Sequence, residues 1–94
     1  MLRSIRRTPR FKRDYKAIVR KHFDESLFVE AVKALMAEET ELLASKYSDH
    51  ALKGEWQGFR ELHIAGDWSL IYRVERDELE LVLTRTGSHD ELLR

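Results

Sequence analysis

The spacing of the apolar residues changes once along this chain, at Phe59, and that change limits the folds open to it. Before Phe59 they recur every three or four positions, as on one face of a helix. After it they alternate, as on one face of a strand. Helices followed by a run of strands separated by short turns give an α+β domain, with the helices covering one face of an antiparallel sheet. Ninety-four residues suit a single domain spanning 1–94.

Leu2 to Arg7 reads as a short first strand. Thr8-Pro9 is a helix start, because threonine caps free backbone N–H groups and proline fits the first turn. Phe11, Tyr15, Ile18, Val19 and His22 then mark an amphipathic helix to about His22. Asp24 caps a second helix carrying Leu27, Phe28, Ala31, Val32, Leu35 and Met36, so the pair forms a helical hairpin. Thr40 starts a further turn using Leu42 and Leu43, and 46–58 reads as an ordered loop anchored by Leu52 and Trp56. Three strands follow as a meander: 59–64, 68–74 and 79–85, with 89–94 as a short tail.

Charge is uneven although the net charge is zero. Residues 1–22 carry nine Lys and Arg against one acid, Asp14. That density makes the first helix, with Arg10, Lys12, Arg13 and Lys16, a candidate phosphate footprint, weighed evenly against a merely solvated face. The absence of cysteine excludes disulfides, a thiolate nucleophile and a cysteine zinc site, and fits a reducing compartment. The basic N-terminus has no apolar run behind it, so no signal peptide is read, and no stretch is long enough to span a membrane. The expected location is cytoplasmic.

The stretch from Asp49 to Trp68 holds two of the four histidines, both tryptophans and three of the four glycines. Within the meander His63 ends one strand, Asp67 begins the next and Arg85 ends the last, so these three are expected at one sheet edge. His50 comes from the preceding loop to the same edge, and His89 follows Arg85. Histidine serves as acid or base near neutral pH, and arginine grips phosphate with two donors. A carboxylate such as Asp67 raises a histidine pKa or fixes its tautomer. The set suits metal-free cleavage of RNA by its own 2′-oxygen. Three histidines and an aspartate also suit a metal, but no recognised metal spacing is present, so no metal or cofactor is expected.

The run Asp49-His50-x-Leu52-x-Gly54-x-Trp56-x-Gly58-Phe59-Arg60-Glu61-x-His63-Ile64-x-x-Asp67-Trp68-x-Leu70-Ile71-Tyr72 resembles the signature of the YafQ-like branch of RelE/ParE toxins. The ending Arg85-Thr86-Gly87-Ser88-His89-x-x-Leu92 resembles the C-terminus of the same branch. The N-terminal half matches in layout only. This resemblance implies the toxin of a type II toxin–antitoxin pair, a ribosome-dependent endoribonuclease that cuts mRNA and stops translation. It places the family's functional residues on His50, His63, Asp67, Arg85 and His89, with Trp68 as an RNA contact, whereas the residues alone favour Trp56 and Trp68 as core or loop anchors over base-stacking platforms. His89 is then the leading general acid, His50 or His63 the base, Asp67 the orienting carboxylate and Arg85 the stabiliser of the phosphorane. An aromatic of that branch is replaced here by Leu93, a weaker platform for a base. The chain is also neutral where such toxins are commonly basic. Implied partners are a DinJ/RelB-like antitoxin and the ribosome with its mRNA and rRNA. The alternatives are a ParE-like, non-enzymatic inhibitor of DNA gyrase, which generally lacks this histidine set, and a binding module in which the site residues meet by chance.

Overall fold

Thr8 caps the first helix as its sequence requires: its side chain accepts the Phe11 N–H, and Pro9 occupies the first turn. The computed structural model describes residues 1–21 and 23–93, so the expected helix end at His22 and the last residue of the tail, Arg94, lie outside the described residues. The described elements run β1 (Ser4–Arg7), α1 (Pro9–Arg20), α2 (Glu25–Met36), α3 (Thr40–Tyr47), β2 (His50–Ala51), a single 3₁₀ turn (Gly54–Trp56), β3 (Arg60–Ala65), β4 (Trp68–Glu75), β5 (Glu80–Ser88) and α4 (His89–Leu92). The α+β class and the meander of β3, β4 and β5 stand as expected.

Four details differ, the first being the expected tail, where His89–Leu92 form a short helix, α4, capped by the Ser88 side chain. The turn expected at Thr40 is a full helix, α3, closed at Ser48 in the left-handed conformation. Part of the expected loop forms β2, which pairs His50 with Glu61 and Ala51 with Arg60. The last strand runs three residues past Arg85, to Ser88. Periodicity misses these elements because two residues define no period, and because β5 breaks its alternation at an irregularity where Ile71 faces Arg85 but Tyr72 faces Leu83.

The sheet order is β1-β5-β4-β3-β2, with β1 parallel to β5 and the other pairs antiparallel. Parallel pairing of the first and last strands demands a long crossover, which the helical first half supplies. β1 pairs with β5 only as far as Leu83. Beyond that point α1 takes over the edge: Thr8 N–H donates to Leu83 O, Thr8 Oγ1 donates to Thr84 O, and Asp14 accepts the Thr86 N–H.

The core forms between the helices and one sheet face. Phe11, Ile18, Ala31 and Leu35 meet Leu62, Leu70, Tyr72, Leu81 and Leu83, all buried. Trp68 belongs to this core, 1% exposed and stacked on Phe28 at 6.2 Å between ring centroids. Among the described residues no helix is long and apolar enough to cross a membrane.

Candidate active site

Residues two apart on a strand share a face, so β3 sends Glu61 and His63 to the same side of the sheet. Their neighbours Leu62 and Ile64 go to the core. Cross-strand pairing then builds one rung from four strands: His50 faces Glu61, Glu61 faces Ile71, and Ile71 faces Arg85. The next rung aligns His63, Ser69 and Gly87. At about 4.8 Å per strand, Arg85 leaves the sheet roughly 10 Å from Glu61, with Ile71 between them.

Glu61 is the centre of this arrangement. Its side chain is fully buried, and a buried carboxylate without a partner costs several kcal/mol, on the order of the penalty for any desolvated ion. His89 supplies a partner, with Nδ1 2.7 Å from Glu61 Oε2. His50 supplies the other: its Nε2 lies 3.1 Å from Oε1, near enough for an ion pair but not aligned as a hydrogen bond. Between these two lies His63, so three imidazoles form a row. Ring centroids are 6.3 Å apart from His50 to His63 and 5.8 Å from His63 to His89, and both pairs are nearly parallel, at 24° and 28°. His63 Nδ1 contacts Ser69 Oγ at 3.2 Å.

The hydrogen-bond partners restrict the tautomers. A carbonyl only accepts, so the 2.7 Å contact of His50 Nδ1 with Ser48 O puts a proton on Nδ1 and leaves Nε2 as the exchanging atom. A carboxylate also only accepts, so His89 carries a proton on Nδ1 and turns Nε2 away from Glu61. The Glu61 hydrogen bond and charge hold the His89 pKa above its ordinary value, with smaller through-space contributions from Asp90 and Asp67.

His50 is set by the residues before it. Ser48 ends α3 with φ of +53°, a conformation uncommon for a residue other than glycine. Asp49 is then clamped. It accepts from Arg60 Nε and Nη2 at 3.2 and 2.9 Å and from the Tyr72 hydroxyl. Burial, followed by this hydrogen bond, pushes the Tyr72 pKa up, which keeps the hydroxyl a donor. A cavity of about 330 Å³ adjoins this clamp, and none of the described histidines lines it.

The structure brings His50, His63 and His89 together and leaves the other expected site residues in different settings. Asp67, in the turn between β3 and β4, is exposed and acts on His89 only through space. The carboxylate that holds His89 is Glu61, which the motif contains but which received no role. Its position two residues before His63 on an alternating strand was the available signal. Arg85 lies on the Glu61 rung, and its guanidinium pairs with Asp14 of α1 at 3.0 and 3.2 Å. Trp68 must be corrected. It is a core residue whose indole N–H donates to Thr86 Oγ1 at 2.8 Å, so its ring cannot stack on a base. Arg10, Lys12, Arg13 and Lys16 stand exposed on α1, and Leu93 is half-buried just after α4. Glu61, His63 and His89 also bring one ligand atom each within 4.8 Å of one another, a donor set that could hold a transition metal.

The profile of a family described as "Bacterial toxin of type II toxin-antitoxin system, YafQ" matches residues 3–94. The "mRNA interferase toxin YafQ" of Escherichia coli K12 is 34% identical over 90 residues, covering 96% of this chain and 95% of that protein. A crystal structure of a metal-bound toxin from Helicobacter pylori superposes with a TM-score of 0.87 at 41% identity, covering 99% of this chain and 100% of the other. The toxin in an E. coli DinJ-YafQ complex gives a TM-score of 0.82 at 33% identity, covering 98% and 99% of the two chains. With the match running through the strands, the crossover and the histidine row alike, this chain belongs to the YafQ family of toxins of type II toxin–antitoxin systems.

Proposed function

We propose that this protein is an mRNA interferase that cleaves message on the ribosome by metal-free acid–base chemistry. The observation that carries the reading is the buried carboxylate of Glu61 set between His50 and His89, with His63 in the row. Such a site holds protons on chosen nitrogens and presents them on an open sheet face.

In the reaction the 2′-oxygen attacks phosphorus and the bond from phosphorus to the 5′-oxygen breaks. His50 takes the 2′-hydroxyl proton at Nε2, because Nδ1 is already committed to Ser48 O. Glu61, 3.1 Å from the same Nε2, stabilises the imidazolium that forms. His89 gives a proton from Nε2 to the departing 5′-oxygen, and its contact with Glu61, which raises its pKa, favours the protonated form that this step needs. The products are a 2′,3′-cyclic phosphate and a 5′-hydroxyl end. The phosphate lies over Ile71, between the histidine row and Arg85, which balances charge on the phosphorane. Exposed cations on α1 meet rRNA and message backbone, and a DinJ-like antitoxin is the neutralising partner. The place of action is the cytoplasm, where ribosomes are.

A second reading has one observation in its favour, the donor set of Glu61, His63 and His89. Bound there, a divalent transition metal would supply Lewis acidity and would occupy lone pairs that the acid–base route needs free. One experiment separates the two. Translating ribosomes are incubated with the protein and mRNA ends are mapped, with and without EDTA. Codon-phased cuts that persist in EDTA and vanish in folded His89→Ala support the acid–base reading. Loss in EDTA with recovery on adding Zn²⁺ overturns it in favour of the metal, and uncut message from the wild type removes the nuclease.

A further inference from the structure

We infer that Asp14 is a positioning residue for the reaction, acting through Arg85; this rests on the nuclease reading above. Asp14 is the one acid among ten charged residues in positions 1–22. In a helix whose exposed face is cationic it opposes the attraction for phosphate, so it is not there to bind RNA. Its side chain is largely withdrawn from solvent, 14% exposed, as is that of Arg85 at 19%.

The geometry is specific. Asp14 Oδ2 accepts from Arg85 Nε at 3.0 Å and Oδ1 accepts from Nη2 at 3.2 Å. The carboxylate therefore grips the side edge of the guanidinium. Oδ2 also accepts the Thr86 N–H at 3.2 Å, which ties the same carboxylate to the backbone of β5 beyond the end of β1. A guanidinium has five N–H donors in one plane. Two are spent on Asp14. Among the described residues Nη1 has no partner, so the end edge, formed by Nη1 and the second Nη2 hydrogen, remains for a phosphate. That is the bidentate geometry in which arginine binds phosphate.

Without Asp14, Arg85 has a long flexible side chain and no fixed direction. With it, the plane of the guanidinium is set before the substrate arrives, and the free edge belongs to a residue on the Glu61 rung. A charge held in place costs no reorganisation when the phosphorane forms, which is where such preorganisation acts. The scissile phosphate is thus clamped between two carboxylate-held cations, Arg85 on Asp14 and His89 on Glu61.

The test separates positioning from simple edge-capping. Asp14→Asn keeps an acceptor for the Thr86 N–H but removes the charge that grips Arg85. Cleavage of ribosome-bound message is followed under single turnover for wild type, Asp14→Asn, Arg85→Ala and the double variant, with thermal midpoints alongside. The expected result for Asp14→Asn is a midpoint near the wild type, a maximal rate lower by about 10- to 100-fold, the range set by misplacing a reacting contact, and an unchanged half-saturating concentration. In the Arg85→Ala background the same substitution is expected to lower the rate by less than about twofold, because residues acting as a unit are not additive. Wild-type rates for Asp14→Asn, or losses that multiply in the double variant, overturn the inference. If Asp14→Asn fails to fold, Asp14→Glu replaces it. A rate rescued toward wild type by the longer carboxylate supports the pair, and a rate as low as that of Arg85→Ala in a folded protein overturns it. Uncut message with the wild type is a different result, which fails the nuclease reading first.

Discussion

His89 Nδ1 stands 2.7 Å from a carboxylate, Glu61, whose side chain no solvent reaches. The hydrogen bond favours the imidazolium, so the folded-state pKa of His89 lies above 6.5. A group whose pKa is raised on folding binds more protons in the native state, and stability then falls as pH rises. The contribution of this pair is fully present below pH 6.5 and is lost as pH rises through the raised value. The difference in thermal midpoint between wild type and His89→Gln is therefore expected to shrink with increasing pH across that interval. A difference that stays flat or grows would contradict the pairing.

Glu61→Gln keeps the shape of the side chain and removes its charge. His89 then loses the main cause of its raised pKa and returns toward 6.5. Because the acid must be protonated to act, the alkaline limb of the pH–rate profile is expected to move to lower pH. The maximal cleavage rate is expected to fall by about 10²-fold, the lower end of what a positioned acid or base contributes. The readout is the rate on ribosome-bound message from pH 5 to 9, about the span in which histidine titrates.

Trp68 donates its indole N–H to Thr86 Oγ1, which in turn donates to Ser69 O at 2.7 Å. Trp68→Phe removes the first donor inside the core and is expected to cost about 2 kcal/mol of stability, within the range for an unmade buried hydrogen bond plus lost packing. Urea unfolding measures this. RNA affinity of the folded variant is expected to match the wild type, and a large selective loss of affinity would return Trp68 to the RNA contact surface.

The four exposed cations Arg10, Lys12, Arg13 and Lys16 are expected to act through phosphate. Each contact made to single-stranded RNA adds about 0.7 to the slope of log affinity against log salt. Replacing all four by alanine is expected to flatten that slope without moving the histidine row. An unchanged slope in filter-binding titrations would mark the face as merely solvated.

The fold was legible wherever a period ran long enough to read. Helices α1 and α2, with Thr8 and Asp24 as caps, and the meander after Phe59 all follow from local pattern. Strand order in the meander also put His50, His63 and His89 in one region, but with Asp67 and Arg85 as their partners, where the structure has Glu61. The two-residue β2 carried no period, and α3 took its place from packing of Leu43 and Tyr47 rather than from a marked amphipathic stripe. Strand alternation already sets Trp68 beside Leu70 and Tyr72 on one face, and that is the covered face; only the RNA-contact role implied by the resemblance fails.

The amino-acid sequence by itself determined which residues are available to this chemistry and which local elements carry them, since capping, alternation and turn residues act over a few positions. Tertiary structure alone decided the partners. Glu61 became the centre of the site because β2 and α4 bring His50 and His89 onto it from 11 and 28 positions away. Arg85 acquired its direction from Asp14, 71 residues earlier, because β1 stops short along β5 and α1 fills the edge it leaves. Those choices depend on strand order and on which charges are withdrawn from water, and neither is written in any local stretch of the chain.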